Sequence, residues 1–288
     1  MLALRSPEVT LELVTTVAGN GPLEMTTRNA LRVLGHVGAG HIPVLSGAAR
    51  PLSAPFHGAL GYHGADALGN VAISDCYGSA GTTPAHEGIY EFAAAAPGDR
   101  VLIATGPLTN VALAFEAHPD LPSMLKGLII MGGAFHLTPY GTGNETPYAE
   151  FNVWQDPEAA ETVFNSTARI SVVGLDVSND PATGLTGADA EYLHETGSIV
   201  ARLAADLARF ALQRHPVCLL HDPLACAVAL DPALFDLAPG RVSVHTEATP
   251  RRGMTEFVGD GNGHVRVARG VDSAAFKRLF LERLGGQP

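Results

Sequence analysis

A short stretch of the chain, GNETPYAEFNVWQDPEAAETVF at residues 143–164, concentrates carboxamide and carboxylate side chains just before a predicted helix. Within it, Asn144, Glu150 and Asn152 carry the side chains that could bind a ligand. Such groups suit a ligand with several hydroxyls, because each hydroxyl both donates and accepts a hydrogen bond. The same side chains could instead tie down a long loop by bonding its backbone. The stretch is therefore a candidate either for ligand binding or for loop fixation.

Other polar or distinctive residues stand where apolar segments end. They are Asn20 after TTVAG, Thr105 after VLIA, Met131 in LIIMGG, Asp176 after VVGL, and His221 with Asp222 after VCLL. In an open parallel sheet the ligand lies outside the carboxyl ends of the strands. We therefore expect these residues to converge with the 143–164 stretch on one crevice. Carboxamides and carboxylates around one crevice favour a polyhydroxylated small molecule, of which a sugar is the natural example.

Several of these residues also have a purely structural interpretation. Asp222-Pro223 and Asp156-Pro157 both resemble an N-cap Asp with Pro at the first helical position. We interpret Asp156 as a cap and leave Asp222 open between a cap and a ligand. His221 follows an apolar run and could be a core histidine, although its pairing with Asp222 at a predicted strand end favours a catalytic role.

The elements that must position these residues alternate short apolar segments with helical patterns. The predicted strands are ELVTTVAG, IPVLSG, RVLIATG, GLIIMGG, RISVVGLDVS and HPVCLLHD. Near-continuous apolar strands with helical crossovers predict an open, mostly parallel α/β sheet with helices on both faces. After Pro239, RVSVHTEAT and HVRVARGVD around a loop at 250–263 predict a small antiparallel addition before the last helix, SAAFKRLFLERL. No linker divides the chain, so we expect one domain over residues 1–288.

Composition excludes several classes of function. The chain has 288 residues, 46% of them hydrophobic, and a formal net charge of -11 without a basic run, which argues against a nucleic-acid partner. No apolar run approaches the ~20 residues of a membrane span, and the N-terminus does not resemble a secretion signal. Three scattered cysteines fit a reducing compartment, so we expect a cytoplasmic protein. Cys218, His221 and Cys226 match no zinc spacing.

Five segments together resemble a known family. VTTVAGN, ATGPLTN, IIMGGAF, GNETPYAEFNVWQDPEAA and HDPLACAVALDP, in this order and at these intervals, are similar to the inosine-uridine preferring nucleoside hydrolases. The most specific part is AEFN with DPEAA, followed about seventy residues later by HDPLA. The resemblance covers nearly the whole chain. It implies hydrolysis of the N-glycosidic bond of a ribonucleoside to ribose and free base, an open α/β fold, a homodimer or homotetramer, and a bound Ca²⁺.

The resemblance also implies how the sugar is held. Asn20 would bond a ribose hydroxyl, and Met131 would pack under the sugar. Asn144, Glu150 and Asn152 would form a clamp around the ribose and its 5′-hydroxyl. Because breaking the bond develops positive charge on the ribose ring, carboxylates near the sugar would stabilise the transition state more than the ground state.

The remaining implied roles concern the ion and the base. Asp222 would bind Ca²⁺ and a ribose hydroxyl, and the carbonyl of Thr105 would supply a further oxygen to the ion. His221 would help protonate the departing base, since a histidine that titrates near neutrality is a suitable donor. His63, in YHGADALG, would lie beside the base.

One departure from the family pattern affects these expectations. The family opens with a strand and a loop of the form Asp-x-Asp-x-x-x-Asp-Asp, which supplies the general base and most calcium carboxylates. Here the first Asp is Asp66, and the only acids before Asn20 are Glu8 and Glu12. We therefore expect a missing first strand, an N-terminally incomplete domain, an incomplete calcium site and no activity from this chain. The alternative is a non-catalytic relative that binds nucleosides or ribose.

Overall fold

The strands form two sheets in the computed structural model, which describes residues 1–73 and 78–286. In the smaller sheet, β1 (Val14–Thr16) pairs in parallel with β2 (Val44–Ser46). The larger sheet has the order β3-β4-β5-β8-β6-β7. Its strands are β3 (Val101–Ala104), β4 (Gly127–Met131), β5 (Ile170–Val173), β6 (Phe235–Val244), β7 (Thr255–Gly259) and β8 (Val265–Val271).

Strand direction divides the larger sheet into two parts. The four strands β3, β4, β5 and β8 run parallel to one another, whereas β6 is antiparallel to both β8 and β7. This confirms the predicted α/β fold with a mostly parallel sheet and an antiparallel addition near the C-terminus. β7 lies inside the segment 250–263, which the sequence analysis assigned to a loop. That detail was wrong because the ten-residue β6 is long enough to pair with β7 through one part and with β8 through another.

Helices connect the strands and cover the sheet. They are α1 (Leu23–His36), α2 (Leu60–His63), α3 (Ala85–Ala95), α4 (Thr109–Ala117), α5 (Leu121–Met124), α6 (Phe151–Gln155), α7 (Pro157–Phe164), α8 (Leu175–Ser178), α9 (Gly187–Glu195), α10 (Ile199–Leu212), α11 (His221–Leu230) and α12 (Ser273–Gly285). Three short 3₁₀ turns add Ala3–Arg5, Pro181–Thr183 and Pro232–Leu234. Asp156 caps α7 by accepting from the Ala159 N–H at 3.2 Å, which confirms its predicted role.

The core lies on both faces of the parallel sheet. Successive residues of β4 point into different hydrophobic clusters: Ile129 and Met131 into one, Leu128 and Ile130 into the other. This is the alternation that a strand covered on both faces must show. The first cluster includes residues of α9 to α12, and the second includes residues of α3, α4 and α7. The predicted helices on both faces are therefore confirmed.

One predicted strand is absent from the described chain. The segment HPVCLLHD forms a turn with a single antiparallel bridge between Leu185 and Cys218, and His221 already begins α11. The place beside β5 is taken by β8 instead. A short apolar run fits a buried strand and a buried helical approach equally well by periodicity, and Pro216 has no N–H to donate to a ladder.

Two further observations bear on the sequence expectations. Across residues 1–73 and 78–286, no helix combines the length and apolar character needed to cross a bilayer. Cys218 and Cys226 are free thiols, and Cys76 lies outside the described residues.

Candidate active site

A cavity of about 340 Å³ lies beyond the carboxyl ends of β3 and β4. All nine residues to which the sequence analysis gave a site role line it. They are Asn20, His63, Thr105, Met131, Asn144, Glu150, Asn152, His221 and Asp222. The structure thus brings the whole set to one place, and the individual roles remain predictions.

Glu150 holds the sequence stretch on which the clamp prediction rests. It is the N-cap of α6, and its Oε1 accepts from the Asn152 N–H at 2.9 Å. Its Oε2 accepts from the N–H groups of Val153 and Gly133, both at 3.1 Å. Burial raises the pKa of Glu150 above its ordinary value, although the three backbone hydrogen bonds oppose that rise. Glu150 therefore fixes the local backbone, as the loop-fixation interpretation predicts, and it also lines the cavity, where ligand binding remains a prediction.

The two asparagines of the stretch offer complementary groups. Asn152 donates from Nδ2 to the Met131 carbonyl at 3.2 Å, so its Oδ1 is left as an acceptor. Asn144 accepts the Phe151 N–H on Oδ1 at 2.9 Å, so its Nδ2 is left as a donor. In the described part of the chain no hydrogen bond engages either of these remaining atoms. A ligand hydroxyl needs both kinds of partner.

Asp176, the remaining residue of the polar strand-end set, does not line the cavity. It is buried, and its carboxylate accepts from the Phe135 N–H at 2.8 Å and the Leu137 N–H at 2.6 Å. Its carbonyl accepts from the Thr138 hydroxyl at 2.6 Å. These bonds anchor the loop that leaves β4 and leads to Asn144. Asp176 is therefore a supporting residue for the cavity wall.

Asp222 is not a helix cap. Helix α11 begins at His221 after Leu220, and no side chain caps its N-terminus. Asp222 is exposed and lines the cavity, where solvent screens its interactions. Desolvation by the neighbouring protein atoms raises the pKa of Asp222 above its ordinary value, and the nearby Glu150 carboxylate adds to that rise. The open choice between cap and ligand is thus resolved against the cap.

Imidazole and phenol rings line another part of the cavity. Burial, with a smaller effect from His63, lowers the pKa of His221 to about 4, so its ring is neutral near pH 7. His221 Nδ1 lies 2.9 Å from the Ser178 hydroxyl oxygen. Burial also lowers the pKa of His63, whose ring centroid is 5.0 Å from that of Tyr62. Neutral rings of this kind suit a planar heteroaromatic group.

Three residues of this region escaped the sequence analysis. Tyr62 directly precedes His63, and a tyrosine beside a candidate site histidine was the available signal. Ser178, which contacts His221, and Asn179, which lines the cavity, follow β5 by only a few residues. Asp176 was selected because it follows the strand end, and Ser178 and Asn179 were missed because they lie slightly further along the chain.

The implied Ca²⁺ can be tested against the donors present. Asp222 and the Thr105 carbonyl both belong to residues that line the cavity, but Ca²⁺ takes ~6–8 oxygen ligands. Both carboxylate oxygens of Glu150 are already engaged by backbone N–H groups. Among residues 1–73 and 78–286, no group of three or more His, Cys, Asp or Glu is placed to hold a metal. The described residues therefore do not fit a bound Ca²⁺ by themselves.

Comparison with known proteins identifies the family. The family model described as "Inosine-uridine preferring nucleoside hydrolase" matches residues 1–278. A pyrimidine-specific ribonucleoside hydrolase RihA from Citrobacter koseri is 36% identical over 295 residues, covering 99% of this chain and 92% of the relative. Among solved structures, the purine-preferring ribonucleoside hydrolase from Gardnerella vaginalis has a TM-score of 0.91 at 31% identity, covering 99% of this chain and 93% of that one. The plant nucleoside hydrolase PpNRh1 has a TM-score of 0.89 at 33% identity, with 99% and 94% covered. The chain belongs to the inosine-uridine preferring nucleoside hydrolase family.

Proposed function

We propose that the cavity binds a ribonucleoside and that the family reaction carried out there is hydrolysis of its N-glycosidic bond to ribose and free base. One observation carries the proposal: a single cavity joins a part lined by carboxamide groups to a part lined by aromatic rings. Asn144 and Asn152 present a free donor and a free acceptor, while Tyr62 and His63 present rings. A ribonucleoside is a small molecule with this same division between a hydroxylated sugar and a planar base.

The acidic residues favour cleavage over simple binding. As the bond to the base breaks, positive charge develops on the ribose ring, and negative groups beside the ring gain attraction during that step. Asp222 is the carboxylate whose oxygens carry no cap interaction and which faces the cavity. Glu150, which lines the same cavity, supplies a second acidic group. We therefore assign the stabilisation of ring charge mainly to Asp222.

We assign His221 a hydrogen bond to the departing base. Because its pKa is lowered to about 4, it is not the near-neutral acid that the sequence analysis expected. At neutral pH its ring carries one proton, on Nδ1 or on Nε2. If the Ser178 hydroxyl donates to Nδ1, the proton is held at Nε2 and remains available to the base. In that arrangement Ser178 leaves Nε2 as the nitrogen of His221 that donates.

The 288-residue chain is proposed to bind its ligand better than it cleaves it. In this proposal, Asp222 and Thr105 supply too few oxygen ligands for Ca²⁺, so the ion needs oxygens from elsewhere. A missing general base alone removes ~10²–10⁴ in rate. The same shortage of acidic groups favours the second candidate, a nucleoside- or ribose-binding relative without catalysis. Cytoplasmic location and a homodimer or homotetramer remain proposals from the sequence.

Calorimetry and a hydrolysis assay on the same protein separate these possibilities. Inosine, uridine and ribose are titrated into the chain, since its relatives include a pyrimidine-specific and a purine-preferring enzyme. Release of reducing sugar is then followed with and without CaCl₂. We expect saturable nucleoside binding, weakened at least tenfold by Asp222→Ala and unchanged by Glu145→Gln, which alters an exposed cavity residue.

Each result has a defined meaning. Absence of binding for both nucleosides and ribose would refute the assignment of the cavity. Calcium-dependent turnover comparable with that of an active relative would refute the proposal of slow catalysis and remove the binding-only candidate. Slow turnover lost in Asp222→Ala would support the hydrolase assignment.

A further inference from the structure

A surface segment, residues 52–63, carries the aromatic side of the candidate active site. Tyr62 and His63 at its end line the cavity, together with Ala59. We call residues 52–63 the cavity arm. None of the residues in this range is buried. Because such a segment gains little from the hydrophobic core, hydrogen bonds largely fix its position.

Two side chains at the junction of α6 and α7 hold the cavity arm. Gln155, the last residue of α6, donates from Nε2 to the His57 carbonyl at 2.8 Å. Asp156, the next residue, accepts the Leu52 N–H on Oδ2 at 3.0 Å. Gln155 is 2% exposed, and Asp156 is fully buried. The cavity arm is therefore tied at two points to the interior of the fold.

The attachment made by Gln155 is the one nearer the cavity. Beyond His57, the Ala59 N–H donates to the Asn20 carbonyl at 2.9 Å, and Asn20 itself lines the cavity. The short helix α2 follows at once and carries Tyr62. The bond from Gln155 is thus made directly before the part of the cavity arm that lines the cavity.

Gln155 is also the more selective of the two attachments. The Asp156 carboxylate accepts the Thr109 hydroxyl at 2.6 Å and caps α7, so its loss would disturb several elements. The Gln155 amide bonds the His57 carbonyl, and its Oε1 has no hydrogen-bond partner among the described residues. Removing this amide should therefore alter the attachment of the cavity arm and little else.

We propose that Gln155 is a positioning residue for the nucleoside site, because its bond to the His57 carbonyl keeps the cavity arm in place beside the base. The inference rests on the proposed function. Asn152, in the same turn of α6, lines the part of the cavity assigned to the sugar. Helix α6 therefore connects the sugar part of the site to the base part.

A loosened cavity arm should reduce the affinity for the base and leave that for the sugar unchanged. The apparent dissociation constant rises as the fraction of molecules with a binding-competent arm falls. Ribose has no base and does not need Tyr62 or His63, so its affinity should not depend on the arm. A general structural role of Gln155 would weaken the binding of both ligands.

Calorimetry on Gln155→Met tests the inference. Methionine has a similar length and cannot donate a hydrogen bond to a carbonyl. We expect inosine and uridine to bind about tenfold more weakly, which corresponds to one lost hydrogen bond, and the affinity for ribose to change by less than about twofold. Glu161→Met, at an exposed position of α7, is the matched control and should bind all three ligands as the parent does.

Hydrogen exchange follows the cavity arm directly. Without ligand, segment 57–63 should exchange faster in Gln155→Met than in the parent, because the bond from the Ala59 N–H opens more often. Helix α3, which is remote in sequence from the arm, should exchange equally in both proteins. Inosine should protect segment 57–63 in the parent and protect it less in the variant. This measurement decides the question even where ribose binds too weakly for calorimetry.

The contrary results separate this inference from the proposed function. If the parent bound neither nucleosides nor ribose, the proposed function and the role of Gln155 would both be refuted. If the parent bound nucleosides and Gln155→Met bound them equally well, or lost as much affinity for ribose, the role of Gln155 alone would be overturned. Unchanged exchange of segment 57–63 in the variant would overturn it as well.

A second variant covers a folding failure. If Gln155→Met does not fold by circular dichroism, Gln155→Asn replaces it in both measurements. Its amide is one methylene too short to keep the 2.8 Å bond to the His57 carbonyl, so the same split between nucleosides and ribose is expected.

Discussion

Glu150 should contribute to folding as strongly as to ligand binding. The residue is 2% exposed, and its carboxylate accepts three backbone N–H bonds, from Gly133, Asn152 and Val153. Each buried N–H left without a partner costs about 1–3 kcal/mol. Glu150→Ala would orphan three and cost about 3–9 kcal/mol, which rivals the ~5–15 kcal/mol of a whole domain. Such a variant is expected to fold poorly and gives little information.

Glu150→Gln is the informative change. The side-chain oxygen can take the Oε2 position and keep the bonds from Gly133 and Val153. The amide NH₂ then meets the Asn152 N–H, donor against donor, so one backbone group loses its acceptor. We expect the free energy of unfolding to fall by about 1–3 kcal/mol.

Urea denaturation without ligand measures this loss directly. The matched control is Glu145→Gln, which makes the same chemical change at an exposed residue of the same cavity and should alter stability by less than about 0.5 kcal/mol. If Glu150→Gln were as stable as this control, the cap geometry would not carry the loop. Glu150 would then have to be regarded as a ligand-binding carboxylate alone.

Three further changes examine the clamp, the histidine and the capping of α9. Asn152→Ala should weaken inosine and uridine binding about tenfold in calorimetry, because a ligand hydroxyl loses its acceptor; unchanged affinity would place the sugar elsewhere. Ser178→Ala should change the proportion of Nδ1 and Nε2 protonation of His221 in ¹⁵N NMR, and an identical spectrum would deny Ser178 that role. Burial raises the pKa of Asp189, but hydrogen bonds from Lys277 and the Thr186 cap outweigh that effect and lower the pKa below its ordinary value. Its stabilising contribution is therefore complete above the unfolded pKa and is lost as pH falls through the folded one, so Asp189→Asn should be less stable at neutral pH and converge with the parent in acid; a constant difference would contradict this.

The sequence was sufficient to predict that these residues meet in one cavity, because each is tied to a local feature. Asn20, Thr105 and Met131 follow or end short apolar strands, and parallel strands deliver their carboxyl ends to one edge. Glu150 stands directly before a helix, where an acidic N-cap is expected. Each position could be argued from its immediate neighbours, without knowledge of distant contacts.

Distant contacts explain what the sequence could not give. The apolar segment before His221 was assigned to a strand, but it does not join the sheet. The strand paired with β5 is β8, which lies nearly a hundred residues further along the chain. A short apolar run fits a strand or a non-strand segment equally well, so periodicity alone could not choose between them. His221 and Asp222 reach the cavity from the first turn of a helix, where the prediction had them at the end of a strand.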